Sequence, residues 1–147
     1  MKELVYLRPI ELSDTESIVR WRNSESVKRN LFSQSLLTPE QHVNYFQSVV
    51  CSGKCRQYII MIKNGAEKPI GTVFLKNIDH MNKTAEFGIF IGEGFYRGKG
   101  LSTMAIYQKL QIAYEDLDLD EVNLFVVEEN LPARKSYERV GFIEVER

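Results

Sequence analysis

Residues 85–104 read AEFGIFIGEGFYRGKGLSTM: a mostly apolar strand, a glycine-rich basic turn and the opening of a helix. Such a turn gathers consecutive backbone N–H groups and the positive end of a helix dipole at one point, which is what a phosphate or diphosphate requires. Two common phosphate loops are excluded by position. A Walker loop needs Gly-x-x-x-x-Gly-Lys-Ser/Thr, but Glu93 stands five residues before Gly98, and Lys99 is followed by Gly100. A dinucleotide fingerprint needs Gly-x-Gly-x-x-Gly, and the run from Gly92 and Gly94 arrives at Arg97 where the third glycine belongs.

What remains, Arg97-Gly98-Lys99-Gly100-Leu101-Ser102, resembles the acyl-CoA loop Arg/Gln-x-x-Gly-x-Gly/Ala of the GNAT superfamily of N-acyltransferases. Ser102 departs from the sixth position by a hydroxyl and keeps the close backbone approach. A second block, Asn130-Leu131-Pro132-Ala133-Arg134-Lys135-Ser136-Tyr137 with Gly141-Phe142, is similar to the superfamily's Asn-x-x-Ala-x-x-x-Tyr…Gly-Phe element. The resemblance implies an α/β (α+β) GNAT fold. It would have a mixed, mostly antiparallel central sheet, splayed fourth and fifth strands, helices on both faces, and acetyl-CoA as acyl donor.

The chain of 147 residues, 44% hydrophobic, is long enough for one core, and residues 1–147 are expected to form one domain. A net charge of -1 with interspersed signs offers no basic face, which argues against nucleic acid as a direct ligand. No apolar run approaches the roughly 18 residues of a membrane span, and the opening MKELVYLRPI lacks a signal peptide's apolar region, so a cytoplasmic protein is expected. Cys51 and Cys55 read as reduced thiols; with two distant histidines they complete no zinc set, and no metal is expected.

Leu4 to Ile10 reads as a strand, with Pro9 suggesting a sheet edge. Ser13-Asp14-Thr15-Glu16 reads as a capping box for a first helix to about Asn23, and a polar stretch follows through Ser35. Thr38-Pro39-Glu40-Gln41 caps a second helix ending near Ser52-Gly53. Gln57–Ile62 and Ile70–Ile78 read as a hairpin, followed by a strand from Thr84 to Ile91. A helix from Leu101 or Ser102 to Asp116, with Met104, Ala105, Leu110 and Ala113 inward, a strand from Glu121 to Val127, a helix from Pro132 to Val140 and a strand from Phe142 to Glu146 complete the order. The further strand with which the superfamily usually ends is missing, so the last edge should be frayed or paired with a second copy in a homodimer.

By resemblance, the splayed strands offer the pantetheine arm unpaired backbone groups near Phe90 and Ile91, beside a backbone N–H that forms the oxyanion hole. Gly88 is the expected bulge that opens them. An ordinary strand with one glycine is the alternative. Tyr137 matches the family's general acid, its phenol near pKa 10 facing a thiol near 8.5; a core tyrosine is the alternative. Asn130 matches a cofactor-contacting asparagine and is also a natural N-cap. Lys135 and Arg134 either meet phosphates or lie on a solvated helix face. Glu86 sits where many family members carry a glutamate that removes the amine's proton through water. A cross-strand surface pair explains it as well, and Glu128 and His42 stand in reserve. The position of a second family glutamate is apolar Phe125.

The acceptor site in this fold is built by the first helices. Trp21, Arg22, Asn23, Phe32 and His42 resemble the corresponding segment of nucleotide-aminosugar acetyltransferases, including the pseudaminic-acid type. Arg22 would pair with a phosphate, and Trp21 or Phe32 would stack on a base or sugar, unless Trp21 is simply core. The reading is direct acetyl transfer from acetyl-CoA to the amine of a small polar acceptor, a nucleotide aminosugar. The alternatives are protein N-terminal acetylation of the ribosomal type and a CoA-binding module without catalysis.

Overall fold

The computed structural model describes residues 4–31, 35–63, 65–97, 100–126 and 130–145. Among these residues one five-stranded sheet is formed, in the order β1-β2-β3-β4-β5. Its strands are β1 (Leu4–Pro9), β2 (Cys55–Lys63), β3 (Glu67–Asp79), β4 (Thr84–Ile91) and β5 (Glu121–Leu124). The first four form an antiparallel meander, and β5 joins β4 in parallel after a helical crossover. Pro9 lies on edge strand β1, where its missing N–H leaves no gap in a ladder.

β2 carries the run Tyr58-Ile59-Ile60-Met61-Ile62 because both of its faces are covered. Ile60 and Ile62 pack with Leu101, Ala105 and Ile106 of α4 (Leu101–Gln111) and with Tyr137 of α5 (Leu131–Arg139). Ile59 and Met61 pack on the other face with Ile18 and Trp21 of α1 (Thr15–Asn23). Helices therefore cover both faces. The polar stretch after Asn23 contains an unexpected short helix, α2 (Glu25–Lys28), anchored by Val27 at 4% exposure. α3 (Pro39–Tyr45) is capped as its sequence suggests, with the Gln41 N–H donating to Thr38 Oγ1 at 3.2 Å and the Thr38 N–H donating to Gln41 Oε1 at 3.0 Å. α3 and α4 each widen at the end into a π-helical turn, Phe46–Val50 and Ile112–Asp116.

The structure corrects four expectations. The capping box at Ser13 to Glu16 does not form. Asp14 instead accepts from the Glu11 N–H at 2.8 Å and is held by Arg8 at 2.7 Å, so a 3-10 turn (Leu12–Asp14) precedes α1. Gly88 makes no bulge, being in regular register opposite Phe74; a Cβ there would stand 2.2 Å from the Phe74 ring, so the glycine makes room for an aromatic. Residues 142–145 form no strand. Met104 is exposed, and Lys109 takes the inward position instead: fully buried, it donates to Arg56 O at 3.0 Å and lies 3.8 Å over the Tyr58 ring. Among the described residues no helix is long and apolar enough to cross a membrane.

Candidate active site

Among the described residues β4 and β5 pair only from Thr84–Phe87 against Glu121–Leu124, while β4 stays paired with β3 as far as Ile91 opposite Gly71. Beyond Phe87 no described residue pairs with the outer edge of β4, which opens there. In an antiparallel ladder alternate residues turn both backbone groups to the same neighbour. The Gly92 N–H donates to Ile70 O at 2.7 Å, which fixes the phase. Phe90 and Gly88 thus face β3, and Ile89 and Ile91 turn N–H and C=O into the opening. The expected pair Phe90 and Ile91 is thereby shifted to Ile89 and Ile91, a parity that the resemblance did not supply. The Ile91 carbonyl is already taken, accepting from Arg97 Nε at 3.0 Å and Nη2 at 2.7 Å.

The opening continues into a groove of about 580 Å³ bounded by β4, the N-terminal turn of α4, α5 and α2. Phe90, Ile91, Arg97, Gly100, Leu101, Ser102, Asn130, Lys135 and Tyr137 all line it, so the two sequence blocks converge on one place. Gly100 precedes α4 at φ +77, a left-handed conformation that leaves the backbone bare where the helix begins. Asn130 caps α5, its Oδ1 accepting from the Ala133 N–H at 3.4 Å, while it also lines the groove. Tyr137 is packed edge-on against Phe87 and Phe142, with ring centroids 6.3 and 5.8 Å away; burial pushes its phenol up to about 12. Lys135 faces the groove, but Arg134 turns away to Glu144 at 3.5 Å.

Other expected residues lie elsewhere. Glu86 is off the groove, in a cross-strand pair with Lys76 at 3.1 Å. Trp21 is 1% exposed, edge-on to Phe90 at 6.4 Å, with Nε1 donating to Glu93 at 2.5 Å; no face is left for a base or sugar. Asn23 spends its side chain on the Leu37 backbone, donating at 2.8 Å and accepting at 2.7 Å. Arg22 and His42 are off the groove wall, and Arg22 Nε and His42 Nε2 are buried without hydrogen-bond partners among the described residues. Burial, then the Arg22 charge, lowers the His42 pKa, and burial lowers that of Arg22. Phe32, Gly98, Lys99 and Glu128 lie outside the described residues. The sequence reading missed α2, which brings Ser26, Arg29 and Asn30 to the groove; Ser24, a good N-cap before Glu25, was its only local signal.

Among the described residues the lining carries four cations, Arg29, Arg97, Lys135 and Arg139, and neither a carboxylate nor a histidine. A basic groove that leads from a bare helix start to an open strand edge suits the phosphates and pantetheine arm of CoA. No described cluster of three His, Cys, Asp or Glu residues is placed to hold a metal.

Residues 5–143 match the model of the acetyltransferase (GNAT) domain. The chain is 30% identical to the spermidine N(1)-acetyltransferase of Escherichia coli K12 over 138 residues, covering 94% of this chain and 72% of that one. It is 28% identical over 153 residues to the putative ribosomal N-acetyltransferase YdaF of Bacillus subtilis, covering 98% and 80%. The solved spermidine N-acetyltransferase of Vibrio cholerae in complex with CoA and spermine superposes with a TM-score of 0.88 at 25% identity, covering 97% of this chain and 82% of that one. The motifs, the splayed strands and these likenesses agree that the chain belongs to the GNAT acetyltransferases, enzymes that move an acetyl group from acetyl-CoA to an amine.

Proposed function

We propose that the acceptor is a small amine that also carries negative charge, with a nucleotide-linked aminosugar as the fitting chemistry. The four cations of the groove meet the phosphates of CoA, and the supporting observation is Arg22, a cation off that groove whose buried Nε has no hydrogen-bond partner among the described residues. A polycationic acceptor would meet it with like charge, whereas a phosphorylated one gains Coulomb energy. The neutral amine attacks the thioester carbonyl, the C–N bond forming as the C–S bond breaks. A backbone N–H on the open edge of β4, at Ile89 or Ile91, faces the developing oxyanion. The amine's proton leaves to water, and the Tyr137 hydroxyl supplies the proton that the departing sulfur needs while regaining one from that water, so the phenol ends the cycle protonated. For an alkylamine of pKa near 10.4, reaching the neutral form at pH 7 costs about 4.6 kcal/mol. An aminosugar's amine is acidified by its neighbouring oxygens and needs less help, which suits a groove without a described base.

A polyamine acceptor is the second reading, favoured by the spermidine acetyltransferases among the relatives. Thiol release from acetyl-CoA, followed with UDP-aminosugars, spermidine and short peptides, separates the possibilities. The aminosugars should show the highest kcat/KM. Spermidine as the best acceptor would overturn the anionic reading and keep the acetyl transfer; a peptide as the best would move the acceptor to the ribosomal-protein class.

A further inference from the structure

On the reading that acetyl-CoA occupies the groove, we propose that Arg29 is a second arm of the diphosphate site, opposing Arg97. Arg97 opens the loop on which the cofactor reading rests, and its guanidinium is fixed by two hydrogen bonds to Ile91 O. Arg29 comes from a distant part of the chain, at the end of α2, and lines the same groove.

Its placement is built into the fold. Ser24, which starts α2, donates its hydroxyl and its N–H to Trp21 O at 2.7 and 3.1 Å, tying the helix to a fully buried residue. Val27 then sinks into the core, and the Arg29 N–H closes the turn on Glu25 O at 3.1 Å. The Arg29 side chain is exposed and makes no ion pair among the described residues. Burial and the Arg29 charge together lower the pKa of Arg97, so the two guanidiniums repel each other. Glu93, whose field opposes that repulsion, is held by Arg20 at 2.8 Å and by Trp21. Two arginines kept near each other without a committed counter-charge have an unmet demand for an anion. A diphosphate supplies oxygens to both at once. Because Ser26 and Asn30 of the same segment also line the groove, the contact makes α2 a wall shared by cofactor and acceptor.

Calorimetry on the wild type, Arg29→Gln and Arg29→Lys tests this with CoA, dephospho-CoA and pantetheine, which lacks the diphosphate. Arg29→Gln should lose about tenfold in affinity for CoA and dephospho-CoA, the size of one exposed charge-assisted contact. It should bind pantetheine as the wild type does, and Arg29→Lys should lose less. The loss should shrink at high salt, and the melting temperatures of the unliganded proteins should agree. Unchanged CoA affinity, or an equal loss toward pantetheine, overturns the proposal; so does a loss toward CoA that dephospho-CoA does not share, which would assign Arg29 to the 3′-phosphate. A wild type that binds no CoA would instead overturn the cofactor reading itself.

Discussion

Tyr137 keeps its proton under any physiological condition, because burial between Phe87 and Phe142 disfavours the phenolate and pushes the pKa up to about 12. A donor of this kind acts mainly when charge develops on the leaving sulfur. Tyr137→Phe should therefore leave CoA affinity by calorimetry nearly unchanged while kcat falls by about 10²–10⁴; a near-normal kcat, with chemistry limiting, would remove the tyrosine from the mechanism. The motif made this residue's place on the groove legible because its spacing from Asn130 is a property of one helix. Trp21 was not legible in the same way, since an aromatic on a helix reads alike whether it stacks on a ligand or fills a core; only the fold, which sets Gly92 against the indole ring, decides. Glu86 is a similar case: the strand's alternation placed it, but its partner Lys76 is on another strand. With Glu86 off the groove, the rate should be governed by the amine's own ionisation. The kcat/KM should rise with pH toward the amine's pKa, with the same profile in Glu86→Gln as in the wild type. A pH profile that the Glu86→Gln variant alters would restore Glu86 as the base.

The elements that position the groove depend on close backbone approach at Gly71. A Cβ there would stand 2.3 Å from the Phe90 carbonyl oxygen and 2.9 Å from Ile91 Cα, both backbone atoms of β4 at the opening. Gly71→Ala should destabilise the protein by about 1–3 kcal/mol in urea unfolding, and by shifting β4 it should weaken CoA binding as well; unchanged stability would mean that β4 yields freely. Strands and long helices were readable from periodicity and caps, as the Thr38–Gln41 box shows. α2 escaped because four residues hold too little periodicity to register. Lys109 escaped because its burial depends on a carbonyl 53 residues away in sequence and on a neighbouring ring, both from β2. Burial lowers its pKa from 10.5 to about 7. Between those values the unfolded chain binds more protons than the folded one, so this residue makes stability rise with pH across that window. Thermal melts from pH 7 to 9.5 should show the wild-type Tm rising relative to that of Lys109→Met, and a pH-independent difference would show that the ammonium stays charged in the fold.

At the scale of the whole molecule the sheet is asymmetric. β1 ends it on one side with Pro9, a residue that blunts pairing, whereas β5 ends it on the other with no described strand beyond. A cavity of about 1020 Å³ lies between β5 and residues 141–145. Phe142 fixes the start of that segment, packing on Phe87 and Tyr137, and its N–H donates to Tyr137 O at 3.0 Å. Further along, Ile143 and Val145 are 84% and 90% exposed, and Phe125, just past β5, is 68% exposed. Three large apolar side chains around one open strand edge make a surface suited to a second copy of the chain, because burying them returns about 25 cal/mol for each Å² of apolar area. The sequence reading foresaw an unpaired edge near Phe142 but took these residues for a strand, since Phe-Ile-Glu-Val has strand composition whether or not a neighbour offers a ladder. Sedimentation equilibrium of the 147-residue chain at micromolar concentrations should therefore give a mass above the 17.1 kDa of one copy. The double substitution Phe125→Lys with Ile143→Lys, on exposed positions outside the groove, should return it to one copy with CoA affinity unchanged. Wild-type chain that stays at the mass of one copy across that range would show that the apolar edge does not drive self-association.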